Sequence, residues 1–285
     1  MDLSSHPLAL ALGLFLVPAL IAGFACLAGA RRGAVGALGA SGLALGYFVG
    51  HCATLGGLPS LPPSTSNEAL AWIAPMAFVA TLAGRRRATL GLGIAGAAVG
   101  ACGALVLLRQ QLGGMGAWEL ARDVGGSALA VGLGVLGLER ASGEEGAGSA
   151  LLAAALSAAV AGAAALTGSL TYGQFGATLT AVCVAAAVAG GLARGADFRG
   201  SIALIAVAAC ALLGLAAERF SSLPPGARWC LAFAPTCLIW IGSLRNENVA
   251  KRRALRWVAL GLPLLCALAI AWMHHSERSQ SAYPY

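Results

Sequence analysis

An all-α, polytopic transmembrane helical bundle is the fold class this sequence predicts, and three observations predict it. Of 285 residues, 59% are hydrophobic and only 10% are charged, whereas soluble domains carry about a quarter charged residues. The mean hydropathy is +0.81. The apolar residues also come in runs of roughly 20, the helix length that crosses a hydrocarbon core about 30 Å thick. In lipid, a helix satisfies every backbone donor and acceptor within one segment.

Ten such stretches follow one another, so residues 1–285 read as a single transmembrane domain of about ten spans, eight at the fewest. The first runs from Leu8 to Ala30. It is too long for a signal peptide's apolar region, Met1 to Pro7 hold no Lys or Arg, and Arg31-Arg32 follow as a retained span requires. The small residues Ala28-Gly29-Ala30 therefore read as helix rather than as a cleavage site. The second, Gly33 to Gly57, repeats Gly42, Gly46 and Gly50 on one face, where small residues let backbones approach closely. The third, Ala69 to Gly84, carries Pro75; the fourth, Ala88 to Leu108, repeats the small-residue spacing at Gly96 and Gly100. The fifth, Gly125 to Leu138, is about fourteen residues long and crosses only by recruiting Leu120 and Ala121. Ser149 to Leu170, Ala177 to Leu192 and Ser201 to Ala217 are continuous apolar runs. Trp229 to Leu244 carries Pro235, and Ala254 to Trp272 carries Pro263.

Lys and Arg orient such a bundle, because positively charged loops stay on the cytoplasmic side. With ten spans, thirteen fall on one side (Arg31, Arg32, Arg85, Arg86, Arg87, Arg140, Arg194, Arg199, Arg245, Lys251, Arg252, Arg253, Arg256) and five on the other (Arg109, Arg122, Arg219, Arg228, Arg278). Both termini are then periplasmic in a bacterial-type inner membrane. The formal net charge of +7 is dispersed between spans rather than gathered on one surface, as nucleic-acid binding requires. The expected partners are the lipid bilayer and other membrane subunits, with no nucleic acid.

A parallel internal repeat is also expected, with units 8–108 and 177–272 joined by a linking hairpin, 125–170. Ser60-Leu61-Pro62-Pro63 after the second stretch recurs as Ser222-Leu223-Pro224-Pro225 after the eighth, Arg32-Gly33-Ala34 recurs as Arg194-Gly195-Ala196, and Ala74-Pro75 recurs as Ala234-Pro235. Paired helix interruptions in two repeats point to a transporter's central cavity. Pro75 with Trp72 and Met76, and Pro235 with Phe233, Thr236 and Trp240, would line it, giving an apolar, aromatic wall with one hydroxyl. Helix kinks without a cavity are the competing reading.

Charged residues within spans are the default pointers to function. All eleven carboxylates fall in loops or at span ends, and Trp118 to Asp123 reads as a short amphipathic segment on the outer surface. His51 lies near the outer end of the second stretch. With Thr167, Thr171, Tyr172, Gln174 and Thr178 it forms a candidate outer polar vestibule; the alternative is a hairpin turn set by Gly173 and Gly176. No Ser-His-Asp arrangement, zinc-helix spacing or phosphate loop is present, so no catalytic residue, metal ligand or cofactor is expected. The eight cysteines contain no C-x-x-C pair and suggest neither a disulfide framework nor a zinc site. A transporter-like bundle for a neutral or hydrophobic solute is the leading functional expectation. A non-catalytic scaffold or anchoring subunit of a larger membrane complex is its rival.

Overall fold

The computed structural model describes residues 12–31, 35–84, 89–141, 146–193, 201–242 and 248–282. Seven of the thirteen basic residues on the expected cytoplasmic side, Arg32, Arg85 to Arg87, Arg194, Arg199 and Arg245, lie outside that set. Among the described residues all regular structure is helical. A π-helical turn, Leu12–Leu16, leads into α1 (Val17–Arg31), followed by α2 (Val35–Leu55), α3 (Ser66–Gly84) and α4 (Thr89–Leu108). The short turn Ala117–Leu120 and a second π turn, Ala121–Gly125, run directly into α5 (Gly126–Ala141). Then come α6 (Gly146–Leu166), α7 (Leu170–Leu192) and α8 (Ser201–Phe220). The next stretch is broken into α9 (Pro225–Phe233), a 3-10 turn, Ala234–Cys237, and α10 (Leu238–Gly242). The last helix, α11 (Val249–Ala282), has 34 residues.

Eight helices among the described residues are long and apolar enough to cross a membrane, where the sequence counts ten stretches. The fifth stretch does recruit its flank, as a span of its length must, and runs from Ala117 to Ala141, 25 residues. Trp118 to Asp123, read from the sequence as the start of an amphipathic segment on the outer surface, is helical and continuous with that stretch. The two stretches outside the eight are those with the paired prolines. α3 opens on the polar residues Ser66, Asn67 and Glu68, and the ninth stretch changes helix type at Ala234. Pro235 has no N–H to continue the ladder, and the Thr236 hydroxyl donates to the Phe233 carbonyl (2.6 Å).

The centre of the bundle is α8. Every residue from Ile202 to Ala217 is buried, against α2 to α7 and α9, and all of them are apolar or glycine. A helix hydrophobic all round belongs in the interior. Around it, α1 pairs with α2, α4 with α5 and α6 with α7, and glycine sets how closely. A Cβ on Gly46 would lie 2.6 Å from the Pro18 carbonyl oxygen, and one on Gly100 2.6 Å from that of Ser127; Gly42 and Gly50 are closed off by Ala25 and Thr178. The glycine spacing read from the sequence is thus a set of close helix contacts, onto backbone at Gly46 and Gly100 and onto side chains at Gly42 and Gly50. The turn between α6 and α7 falls at Gly168, at φ +87°, which L side chains rarely adopt. Gly173 and Gly176, expected to form that turn, instead lie in α7 against Ala165 and Ala161.

Candidate functional site

The charges that the sequence places at span ends converge. Asp123, fully buried, lies in the π turn ahead of α5 and accepts from three guanidinium groups. These are Arg122 Nε at 3.0 Å, Arg219 Nε at 2.6 Å and Arg228 Nη1 at 2.8 Å. Glu218 accepts from Arg122 Nη2 (3.1 Å) and from Arg228 Nη1 (2.6 Å), and Glu119 stands 3.8 Å from Arg219. Three arginines thus face three carboxylates, and no counter-ion is needed. Arg228 is 1% exposed; the Trp229 ring centroid lies 4.1 Å from its guanidinium carbon. Gly126 makes room for that ring.

Local structure explains the convergence. Arg122 and Asp123 enter the membrane helix because the fifth span must borrow residues to reach crossing length. Asp123 then sits roughly 9 Å along the axis from Ala117, at 1.5 Å per residue. Glu218 and Arg219 end α8, and Arg228 is in the second turn of α9. Sequence reasoning treated these residues one at a time, as interfacial charges. The available signal was their pairing: opposite charges at the same-side ends of the fifth, eighth and ninth stretches.

The residues of the expected vestibule meet only in part. His51 is buried, stacked on Phe175 at 3.6 Å between ring centroids and edge-on to Tyr47 at 4.4 Å. Thr178 is buried and donates to the Leu14 carbonyl (3.1 Å). Tyr172, also buried, lies 6.4 Å from Phe175, and its hydroxyl is 3.5 Å from that of Ser66. Thr167 turns back on its own helix, donating to the Ala163 carbonyl (3.0 Å). Thr171 and Gln174 are half-buried on α7.

The two prolines sit in different surroundings. Pro235 packs against Gly134 and Gly137 of α5, while Phe233 lies against Trp229 and Trp240 is exposed. Pro75 stays within continuous α3 and forms a shared wall of two apolar grooves. One, about 350 Å³, lies between α1, α2 and α3, lined by Ile21, Leu45, Phe48 and Phe78 among others. The other, about 570 Å³, runs between α3 and α4 past Met76, Ala95, Ala98 and Val99. Trp72 flanks them, tilted against Phe48 and donating to the Ser60 carbonyl (3.1 Å). The loop there is drawn together by Glu68, which accepts from the hydroxyls of Ser60 and Ser64 (both 2.7 Å) and from the Ser64 N–H (2.6 Å). Those bonds hold its carboxyl well below the usual range, at about 2.

All eight cysteines are free, and among the described residues no group of three His, Cys, Asp or Glu is placed to hold a metal. Several apolar crossing helices packed around a buried apolar centre define a multi-pass integral membrane protein in contact with lipid. No family model, curated protein or solved structure matches the chain.

Proposed function

We propose that the chain is a transporter-like bundle that takes a neutral or hydrophobic molecule from the bilayer, with Pro75 at its entry. The observation that carries this reading is the pair of apolar grooves sharing Pro75, neither of them lined by a charged side chain. Proline at position 75 leaves the Ala71 carbonyl without its helical donor, a local weakness beside an apolar space. The wholly apolar surface of α8 weighs against passage of ions, which need polar groups to replace their water. Duplication of 8–108 as 177–272 belongs to this reading, with Pro235 the counterpart of Pro75.

Photo-crosslinking tests it. In bilayer discs holding a trace of diazirine-labelled long-chain fatty acid, adducts are expected to concentrate on Met76 and Ala95 to Cys102. They should outnumber those on the exposed residues Leu262 and Leu265 of α11. Ala98→Phe, which fills the larger groove, should reduce them about fivefold, the loss of roughly 1 kcal/mol of binding. Adducts spread evenly over both helices would overturn the reading.

A scaffold or anchoring role is favoured by a different observation, the exposed stripe Val258, Leu262, Leu265 and Trp272 on α11, which offers a flank to a partner helix. In either role we propose a bacterial-type inner membrane with both termini periplasmic. Alkaline phosphatase, active only after export, should be active when fused after Tyr285 and inactive after Arg87. The reverse pattern would invert the orientation.

A further inference from the structure

We propose that the seam between α3 and α4 is one continuous site for a single-chain lipid with a carboxylate head, the head held at Arg109 and the chain laid along the larger Pro75 groove. The inference rests on the reading of that groove as a ligand's entry and names the ligand's class. A third cavity, about 310 Å³, lies at one end of the same seam, between the loop ahead of α3 and the end of α4. Unlike the two apolar grooves it has polar walls, with Ser64, Thr65 and Ser66 on one side and Arg109 and Gln110 on the other. The Gln110 amide donates to the Ser64 carbonyl and ties the two sides together.

Helix periodicity joins this cavity to the larger groove. Ala95, Val99 and Cys102 line the groove, and Val106 and Arg109 line the cavity. Steps of alternately four and three residues keep to one face of a helix. One stripe of α4, carried on by the turn after Leu108, therefore passes from apolar groove to polar cavity. At 1.5 Å per residue Cys102 and Val106 are about 6 Å apart along the axis, and Ala95 and Arg109 roughly 20 Å. One leaflet gives an acyl chain about 15 Å of hydrocarbon, half the thickness of the core, so the stripe is long enough for one chain below its head.

Charge selects the head. Arg122, Arg219 and Arg228 are each paired with carboxylates. Arg109 is exposed, and no carboxylate among the described residues pairs with it. The acid of the facing loop, Glu68, is taken up by Ser60 and Ser64 and does not line the cavity. A guanidinium offers a planar fork that a carboxylate meets with two parallel bonds. A single arginine balances that one negative charge, whereas a phosphate monoester brings about −1.5 to −2. One stripe between cavity and groove also suits one chain better than two.

Photo-crosslinking of the full chain in phospholipid discs tests it, in mildly alkaline buffer that keeps the carboxyl ionised. The probes are a long-chain fatty acid with a diazirine at its methyl end and the methyl ester of the same acid. The acid should label Ala95 to Cys102 about threefold more than the ester, the effect of one exposed charge pair. Arg109→Gln should lower the acid's adducts to the ester's level, Arg109→Lys should keep most of the difference, and Arg278→Gln on α11 should leave it unchanged. A diazirine placed beside the carboxyl should shift the adducts to Val106 and Gln110. Equal labelling by acid and ester at Ala95 to Cys102, whatever stands at position 109, would overturn the carboxylate head and leave the Pro75 groove standing. A diazirine phosphatidylglycerol that labels these residues as strongly as the acid would overturn the single-chain class. Adducts spread evenly over α4 and α11 would overturn this site and the groove together.

Discussion

Replacing Asp123 with Ala should cost the folded chain about 3–5 kcal/mol, the usual penalty for removing one partner of a buried ion pair. Arg228 is 1% exposed and would keep only Glu218; Arg219 would keep Glu119 at 3.8 Å. Stranded guanidinium groups in a low-dielectric interior dominate this loss. Measured as a denaturant midpoint in mild detergent, Asp123→Ala should unfold far earlier than Arg140→Ala. Arg140 is exposed, and such surface changes stay within about 0.5 kcal/mol. The double change Asp123→Leu with Arg228→Met should recover much of the loss, because it leaves less charge behind. Equal midpoints for Asp123→Ala and Arg140→Ala would show that the cluster contributes nothing to stability.

Gly100→Val should be as damaging, by steric overlap instead of electrostatics. A Cβ there lies 2.6 Å from the Ser127 carbonyl oxygen and 3.1 Å from Ala128 Cα, and neither is the free end of a flexible side chain. Relief requires α4 and α5 to move apart. Overpacking of this kind costs about 1–3 kcal/mol and more where backbone is involved. Gly191→Val on α7 is the matched control, since nothing lies within 4 Å of the added Cβ. Equal stability of the two variants would mean that α4 and α5 do not pack as described.

The helical membrane class was legible because it rests on run length and charge depletion, which the sequence states directly. The glycine stripes were legible for a related reason: a four-residue period fixes a helix face, and in lipid a small-residue face seeks close contact. The ionic cluster was not. Its hydrogen bonds between the fifth stretch and the eighth and ninth join residues 96 to 105 apart, and whether an end charge faces headgroups or interior depends on how far a short span extends. The length of the fifth stretch points to Leu120 and Ala121 as residues it borrows, but nothing in the sequence alone shows that Arg122 and Asp123, which come with them, face inward. The turn after α6 was misplaced because Gly168, Gly173 and Gly176 are equivalent by composition; only their surroundings show which one carries the positive φ.

The position of α8 along the chain bears on how the molecule is made. Helices insert largely in order as the chain is synthesised, and they associate afterwards within the bilayer. The helix that α2 to α7 pack around begins at Ser201 of 285 residues, so about two thirds of the protein is already in the membrane before its axis arrives. Until then the faces of Gly103 and Gly134, which will meet Leu212 and Val207 of α8, stay against lipid or a holding factor. A chain arrested before residue 201 should therefore keep α1 and α2 packed directly on α7, with α4 and α5 joined to them chiefly through α3, and should gain full resistance to membrane proteases only after α8 has been inserted.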